Sequence, residues 1–314
     1  MSSYLYNRLI DFSTCINIPV KLFAAYVIYR HTPKNIKTLS QFILNIMFWN
    51  LLGSISGAFL RPFPLFPSEC LRVDGPIGYI AESRIYSYFL AGVIAFSAGN
   101  CTIASFLMFP YRYLVFAHPK LVERFRRHWV AVIVAIHICA SCTVVSICIY
   151  IAVYCLDYTY QVEGSVGSGI ICFNYHKFIK RLLESAALGI VSTGSIFCAT
   201  VSIVLKYKLA KVMETGSRRN VELNSRLLRY VIIVTAVPLG FGGIPLFMGF
   251  LLLSFPTYQY ARETYLIVAL FLYNHGLVFS IASITTLKPY RKAVRGMVRS
   301  ALEKILTNSS VNPS

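Results

Sequence analysis

Seven apolar stretches, each about 20 residues or longer and so able to cross a bilayer as a helix, occupy most of this 314-residue chain. They lie at about 10–29, 39–60, 85–109, 129–156, 182–205, 227–253 and 264–287. Lipid offers no hydrogen-bond partner to backbone N–H and C=O groups, so only helices or a closed barrel can span it. A barrel needs short alternating strands, whereas "AVIVAIHICASCTVVSICIYIAVY" is one continuous apolar run. Composition agrees: 56% of residues are hydrophobic and 13% charged, too few charges to cover a soluble domain of this length. The sequence therefore predicts an all-α membrane protein, a single seven-helix bundle over 1–314. Span 1 is the least regular, with Asp11 at its start and Lys21 inside it.

Lys and Arg residues in short loops orient such a bundle, facing the cytoplasm. The loops 30–38, 110–128 and 206–226, the tail after 287 and Arg229 hold 21 of the 30 basic residues. The opposite loops hold eight: Arg8, Arg61, Arg72, Arg84, Lys177, Lys180, Arg181 and Arg262. This predicts an N-terminus outside and a C-terminus inside. The net charge of +18 is then a topology signal and an attraction to anionic membrane lipid. No basic run interleaved with aromatics forms a nucleic-acid domain. The first 30 residues lack a basic n-region and a small-residue cleavage site, so span 1 reads as an uncleaved signal-anchor.

Seven of the nine cysteines are expected in or near the spans, as small apolar residues. Cys139-x-x-Cys142 has half a zinc site's spacing but no second ligand pair, and no metal or cofactor is expected. Cys70 and Cys172 fall in the two longer outer loops, where the compartment is oxidising. They are either bridged or two free loop thiols. The sequon at Asn100 lies inside span 3 and that at Asn308 in the cytoplasmic tail, so neither is expected to carry glycan. Enzyme chemistry finds no foothold: the histidines are scattered, no G-x-S-x-G elbow occurs, and no Asp lies deep in a span.

Several constellations stand out. Span 6, "YVIIVTAVPLGFGGIPLFMGFLL", carries Pro238 and Pro245 with Gly240, Gly242 and Gly243 between them. Each proline removes a helical hydrogen bond, making either a hinge or a static kink. Ala91, Ala95 and Gly99 line one face of span 3, letting a neighbouring backbone approach. Arg112, between Tyr111 and Tyr113, sits at the inner boundary; it either reaches a cavity where a signalling partner docks or snorkels to headgroups. His275 lies near the middle of span 7, as a ligand-contacting or switching group or as a neutral histidine bonded to a neighbouring helix. After span 7, residues 288–306 alternate an apolar face (Tyr290, Val294, Met297, Val298, Ala301, Ile305) with Lys288, Arg291, Lys292, Arg295 and Arg299. That pattern predicts a short amphipathic helix on the inner membrane surface, with 307–314 as a disordered tail.

Seven spans with basic inner loops suggest a G-protein-coupled receptor. The finer pattern resembles the nematode chemosensory receptors, most closely serpentine receptor class H. The matching pieces are "YVIYRHTPKNIKTLSQFILNIMFW" with Thr32-Pro33, then "RPFPLFP", the span 6 prolines, His275-Gly276, and Lys288-Pro289-Tyr290-Arg291. The resemblance implies a multi-pass receptor in the plasma membrane of a sensory cilium. Such a receptor binds a small external molecule and activates a heterotrimeric G protein. Tyr86, Tyr88, Phe89, Tyr265 and His275 are the expected pocket lining, chosen for depth and polar or aromatic chemistry. Arg112, Tyr113, Arg126, Arg127, Lys208, Lys211 and Arg226 are the expected coupling face. One departure stands out: Pro110-Tyr111 precede Arg112 where family members place an acidic or amide residue. Weaker locking of that arginine implies raised basal signalling or reduced coupling. The alternatives are a seven-span ligand-gated channel of odorant-receptor type, whose N-terminus lies inside, and a small-solute transporter, which requires repeat symmetry.

Overall fold

The computed structural model describes residues 1–33, 36–77, 84–117, 126–163, 166–173, 177–215, 233 and 236–310. Long helices dominate: α1 (Ser3–His31), α2 (Lys37–Leu60), α3 (Arg84–Ala117), α4 (Arg126–Tyr154), α5 (Lys177–Thr215), α6 (Ile244–Ser254), α7 (Ala261–Thr286) and α8 (Lys288–Ser310). Six of these, α1 to α5 and α7, are long and apolar enough to cross a membrane. The remaining span is represented by Pro238–Ser254, since most of 227–235 lies outside the described residues.

Helix bounds exceed the apolar runs that announce them. At 1.5 Å per residue, the 39-residue α5 is about 58 Å long, well beyond an apolar core of about 30 Å. The helix continues past the apolar window because Lys206, Lys208 and Lys211 are good helix formers that need no burial. α8 likewise runs to Ser310, so the expected tail from 307 begins as helix. On α4 the side chains of Val134, Ile138, Val145 and Ile149 are exposed, an apolar surface suited to lipid.

Four short strands were not foreseen by an all-helical reading: β1 (Pro62–Leu65), β2 (Cys70–Val73), β3 (Leu156–Glu163) and β4 (Val166–Phe173). They form one antiparallel sheet in the order β1-β2-β4-β3 at one end of the bundle. β1 is the proline-rich "PFPL", tolerated because it is an edge strand whose missing N–H groups interrupt no central ladder. Cys70 lies opposite Cys172 in the β2–β4 register, and the two are joined by a disulfide. The sheet is fastened to α1 by charge. Asp74 takes hydrogen bonds from Arg72, Ser3 and Asn7, and Arg61 pairs with Asp11 at 2.6 Å.

Apolar clusters pack the two ends of the bundle. The larger packs Val27 and Ile28 of α1, Ile43 and Ile46 of α2, Ala104 and Met108 of α3, and Phe279 and Ile284 of α7 towards the α8 end. Tyr290 of α8 is fully buried in this cluster, and its hydroxyl meets Thr32 Oγ1 at 2.9 Å. Thr32-Pro33 and the Lys-Pro-Tyr-Arg run are thus two halves of one joint, which turns α8 back against α1. At the sheet end a smaller cluster packs Tyr6 and Ile10 against Phe63 and Leu266.

Candidate ligand-binding site

Between these clusters lies a cavity of about 350 Å³, at the low end of the range for small-molecule sites. A larger groove of about 720 Å³, between the end of α1 and α8, is a shallow open surface and encloses nothing. The inner cavity runs from Tyr6, Ile10 and Pro62 near the sheet to Ser105 and Cys198 at mid-bundle. Its walls are built by α2 (Asn50, Gly53, Ser54), α3 (Ser97, Cys101), α5 (Val191, Ser195), the segment Pro238–Gly243, and α7 (Tyr273, His275).

Small residues create this space. On α3 the positions facing it are Ile94, Ser97, Ala98, Cys101, Thr102, Ser105 and Phe106, which follow the three-and-four spacing of one helical face and are small except at Ile94 and Phe106. The face that closes on a neighbour is the adjacent one, where a Cβ at Gly99 would come within 3.1 Å of Val144 on α4. Asn100, whose sequon the bilayer was expected to protect, is fully buried; its amide accepts from Ser141 at 2.7 Å and donates to Phe96.

The kink is a six-residue π-helix, Pro238–Gly243, that flows directly into α6. Widening to the i→i+5 pattern is how a helix absorbs an unpaired carbonyl without a break, and such turns recur at functional sites. Its glycines are contact points. A Cβ at Gly242 would lie 3.3 Å from the His275 ring, and one at Gly243 would lie 3.1 Å from Ser195 Oγ. The widened turn therefore touches the cavity wall on both α7 and α5. His275 is 9% exposed and makes no hydrogen bond among the described residues.

Polar groups gather on the α1–α2–α7 side. Tyr273 hydroxyl donates to Ser54 O and meets Thr14 Oγ1. Asn17 Nδ2 donates to Asn274 Oδ1 at 3.3 Å. Lys21 is 1% exposed, and its ammonium donates to Ser54 Oγ at 2.6 Å and to Asn50 O at 3.4 Å. In the sequence Lys21 stands out only as an irregularity of span 1; its signal is an ionisable group about ten residues inside a membrane helix. Ser54 and Ser97 were also missed, because small polar residues in such helices ordinarily serve packing.

Of the five residues expected to line a pocket, His275 lies on the cavity. Tyr86 and Phe89 are 56% and 66% exposed on the outer face of α3. Tyr88 packs on the cluster of Leu60, Val73 and Ile171 beneath the sheet, and Tyr265 stacks edge-on against Phe66. None of these four lines the cavity. In the expected coupling set, Lys208 Nζ donates to Tyr113 hydroxyl at 2.7 Å and sits 4.8 Å from that ring's centre. This joins α3 to α5 at the end remote from the sheet. Arg112, Arg126, Arg127 and Lys211 fall on α3, α4 and α5 with side chains outside the described set, and Arg226 lies outside the described residues altogether. Pro238 opens the π segment, and Pro245 occupies the first turn of α6.

A multi-pass helical bundle enclosing a mid-depth cavity, with a kinked helix against it and α8 folded back at one end, is consistent with a seven-helix membrane receptor. The family description "Serpentine type 7TM GPCR chemoreceptor Srh" matches residues 1–300. The chain belongs to that chemoreceptor family, a class of membrane receptors and not of enzymes. No curated protein matches it.

Proposed function

We propose that this protein is a chemosensory receptor of the plasma membrane that binds a small external molecule in the cavity and activates a heterotrimeric G protein. The observation that carries the reading is the contact of His275 and Ser195 with the π segment. A ligand pressing on the cavity wall bears directly on the widened turn of the kinked helix. The sheet end is the outer one: it holds the disulfide, as an oxidising compartment permits, and the basic residues Lys206 and Lys208 of α5 and Lys288, Arg291 and Lys292 of α8 lie towards the other end. Binding favours one of two arrangements of the kinked helix, its inner half swinging about the widened turn, and the ends of α3 and α5 respond. The Lys208–Tyr113 contact joins those two ends, and Lys208 belongs to the surface that the G protein meets. With no carboxylate or amide preceding Arg112, the resting state is weakly locked. Placement in a sensory cilium follows from the chemosensory class.

Nucleotide exchange on a panel of Gα subunits, with purified full chain in nanodiscs, tests this. The wild type is expected to exceed both Arg112→Ala and Lys208→Glu without added ligand. Equal exchange in all three, across the panel, refutes the coupling surface.

A further inference from the structure

Lys21 brings a positive charge into the middle of the bundle, where no carboxylate pairs with it among the described residues. Of the 12 acidic residues, only Asp11 and Glu184 fall within the apolar spans, each at a span's sheet-side end. Asp11 is ten residues from Lys21, about 15 Å along the helix, and is paired with Arg61. A charge held out of water without a counter-ion is costly. Such groups persist in membrane helices where they meet a pathway or a ligand.

The ammonium is placed deliberately. Gly276 clears the ground for it: a Cβ there would lie 2.8 Å from Lys21 Cε and 2.6 Å from Asn50 Oδ1. Lys21 then reaches Ser54 Oγ at 2.6 Å. An ammonium only donates, so that hydroxyl oxygen accepts. The Ser54 hydrogen remains available, and no acceptor takes it among the described residues. Ser54 lines the cavity, so the relay ends in a donor at the cavity wall, with a positive charge one bond behind it. A second group is independent of the first. Ser97 Oγ, on a residue 1% exposed, also lines the cavity and has no hydrogen-bond partner. A Cβ at Gly53, next to Ser54, would stand 3.4 Å from Ser97 Cβ, so α2 and α3 meet closely at this level and each brings a hydroxyl to the cavity wall.

We infer that the cavity takes a small lipophilic monocarboxylate, its head group held by the Ser54 and Ser97 hydroxyls before the Lys21 ammonium. The apolar body of the acid fills the space between Ile94, Val191, Leu246 and Leu272. The ligand supplies the counter-ion that no described residue provides. This deepens the receptor reading and rests on the cavity being its ligand site.

Saturation binding of radiolabelled octanoate to the full chain in nanodiscs tests it, with unlabelled octanoate, 1-octanol, methyl octanoate and octylamine as competitors. For the wild type, octanoate is expected to compete at least about tenfold better than the alcohol or ester, since a site built for a polar group rejects the analogue lacking it. Lys21→Met, close in volume, is expected to erase that preference while leaving binding of the alcohol. Ser97→Ala removes an unpartnered hydroxyl, so its fold is secure, and is expected to weaken octanoate alone. If Lys21→Met does not fold, wild-type selectivity and Ser97→Ala decide. Equal competition by acid and alcohol overturns the charge assignment and leaves the cavity as a neutral ligand's site. Acid preference surviving in Lys21→Met overturns it too, as does the absence of saturable octanoate binding. G-protein exchange, which needs no ligand in its assay, judges the receptor reading separately.

Discussion

Gly276→Ala is a one-methyl change whose effect follows from the packing around Lys21. The new Cβ would lie 2.6 Å from Asn50 Oδ1, 2.8 Å from Asn50 Cγ and 2.8 Å from Lys21 Cε. All three are closer than real Cβ contacts, and Lys21 has no solvent to retreat into at 1% exposure. Overpacking of this kind costs about 1–3 kcal/mol, set against a helix-propensity gain of about 1 kcal/mol for alanine over glycine. Gly92, on α3, supplies the control. Nothing lies within 4 Å of a Cβ there, so Gly92→Ala receives the gain without the clash. The propensity contribution cancels between the two variants, and Gly276→Ala is expected to be less stable than Gly92→Ala by about 1–3 kcal/mol. At roughly 2 °C per kcal/mol for a large domain, that is a gap of roughly 2–6 °C in thermal midpoint. A thiol-reactive dye reads it, because the free cysteines Cys101 and Cys198 are buried until the bundle opens. Combining Gly276→Ala with Lys21→Ala removes one of the clashing groups and is expected to recover part of the loss. Coincident midpoints for the two alanine variants would refute the crowded lysine site.

Two further outcomes follow from the sheet end. The disulfide closes a loop of 102 residues, for which chain entropy gives about 4.7 kcal/mol as an upper figure. Helices already held by the bilayer reduce the freedom it removes. The paired Cys70→Ser and Cys172→Ser variant is therefore expected to lose about 2–4 kcal/mol, read as a lower thermal midpoint than oxidised wild type. An unchanged midpoint counts against the bridge. The second outcome concerns Asp74. Burial pulls its carboxyl upward, but the hydrogen bonds from Arg72, Ser3 and Asn7, with the Arg72 charge, outweigh that and hold it below the usual carboxylate range. A depressed folded value means its contribution is complete above the unfolded value of about 3.9. That contribution is lost as pH falls through the folded value. Thermal midpoints from pH 7 down to pH 3 are expected to drop more steeply at the acid end for wild type than for Asp74→Asn. Asp74→Asn is expected to be about 1–3 kcal/mol weaker at neutral pH. Parallel curves would show that Asp74 does not carry the linkage.

The helices were legible because a membrane span must be continuous, apolar and of a set length, three constraints that one sequence displays. The joint between α1 and α8 was half legible. Thr32 and Tyr290 stood out as pieces of a family pattern, while their contact across 258 residues had no local trace. The sheet was illegible for the same reason in stronger form. β2 and β4 are four and eight residues long and separated by two helices. Their pairing is fixed by a register in which Cys70 meets Cys172, and β1 is half proline. Strand propensity argues against "PFPL"; only its edge position permits it.

Four of the five residues expected to line a pocket lie off the cavity, and the reason is physical. In a soluble helix the apolar face points inward, so periodicity gives orientation. A membrane helix is apolar on its lipid face as well, and aromatic side chains are at home there. Choosing Tyr86 and Phe89 for their aromatic depth therefore selected the outer face of α3. The inward face carries the less conspicuous series Ser97, Cys101 and Ser105, at four-residue spacing. The same inversion applies to Lys21. Hydropathy counts it against span 1, yet the bilayer's intolerance of charge is what makes its presence informative. A lysine ten residues inside a helix needs a partner, and the 12 acids of the sequence already show that none is supplied at that depth. What the sequence could not show is that Gly276 opposes Lys21, or that Ser54 relays its charge to a cavity. Those depend on α1, α2 and α7 meeting at one level, which is a property of the fold and not of any span.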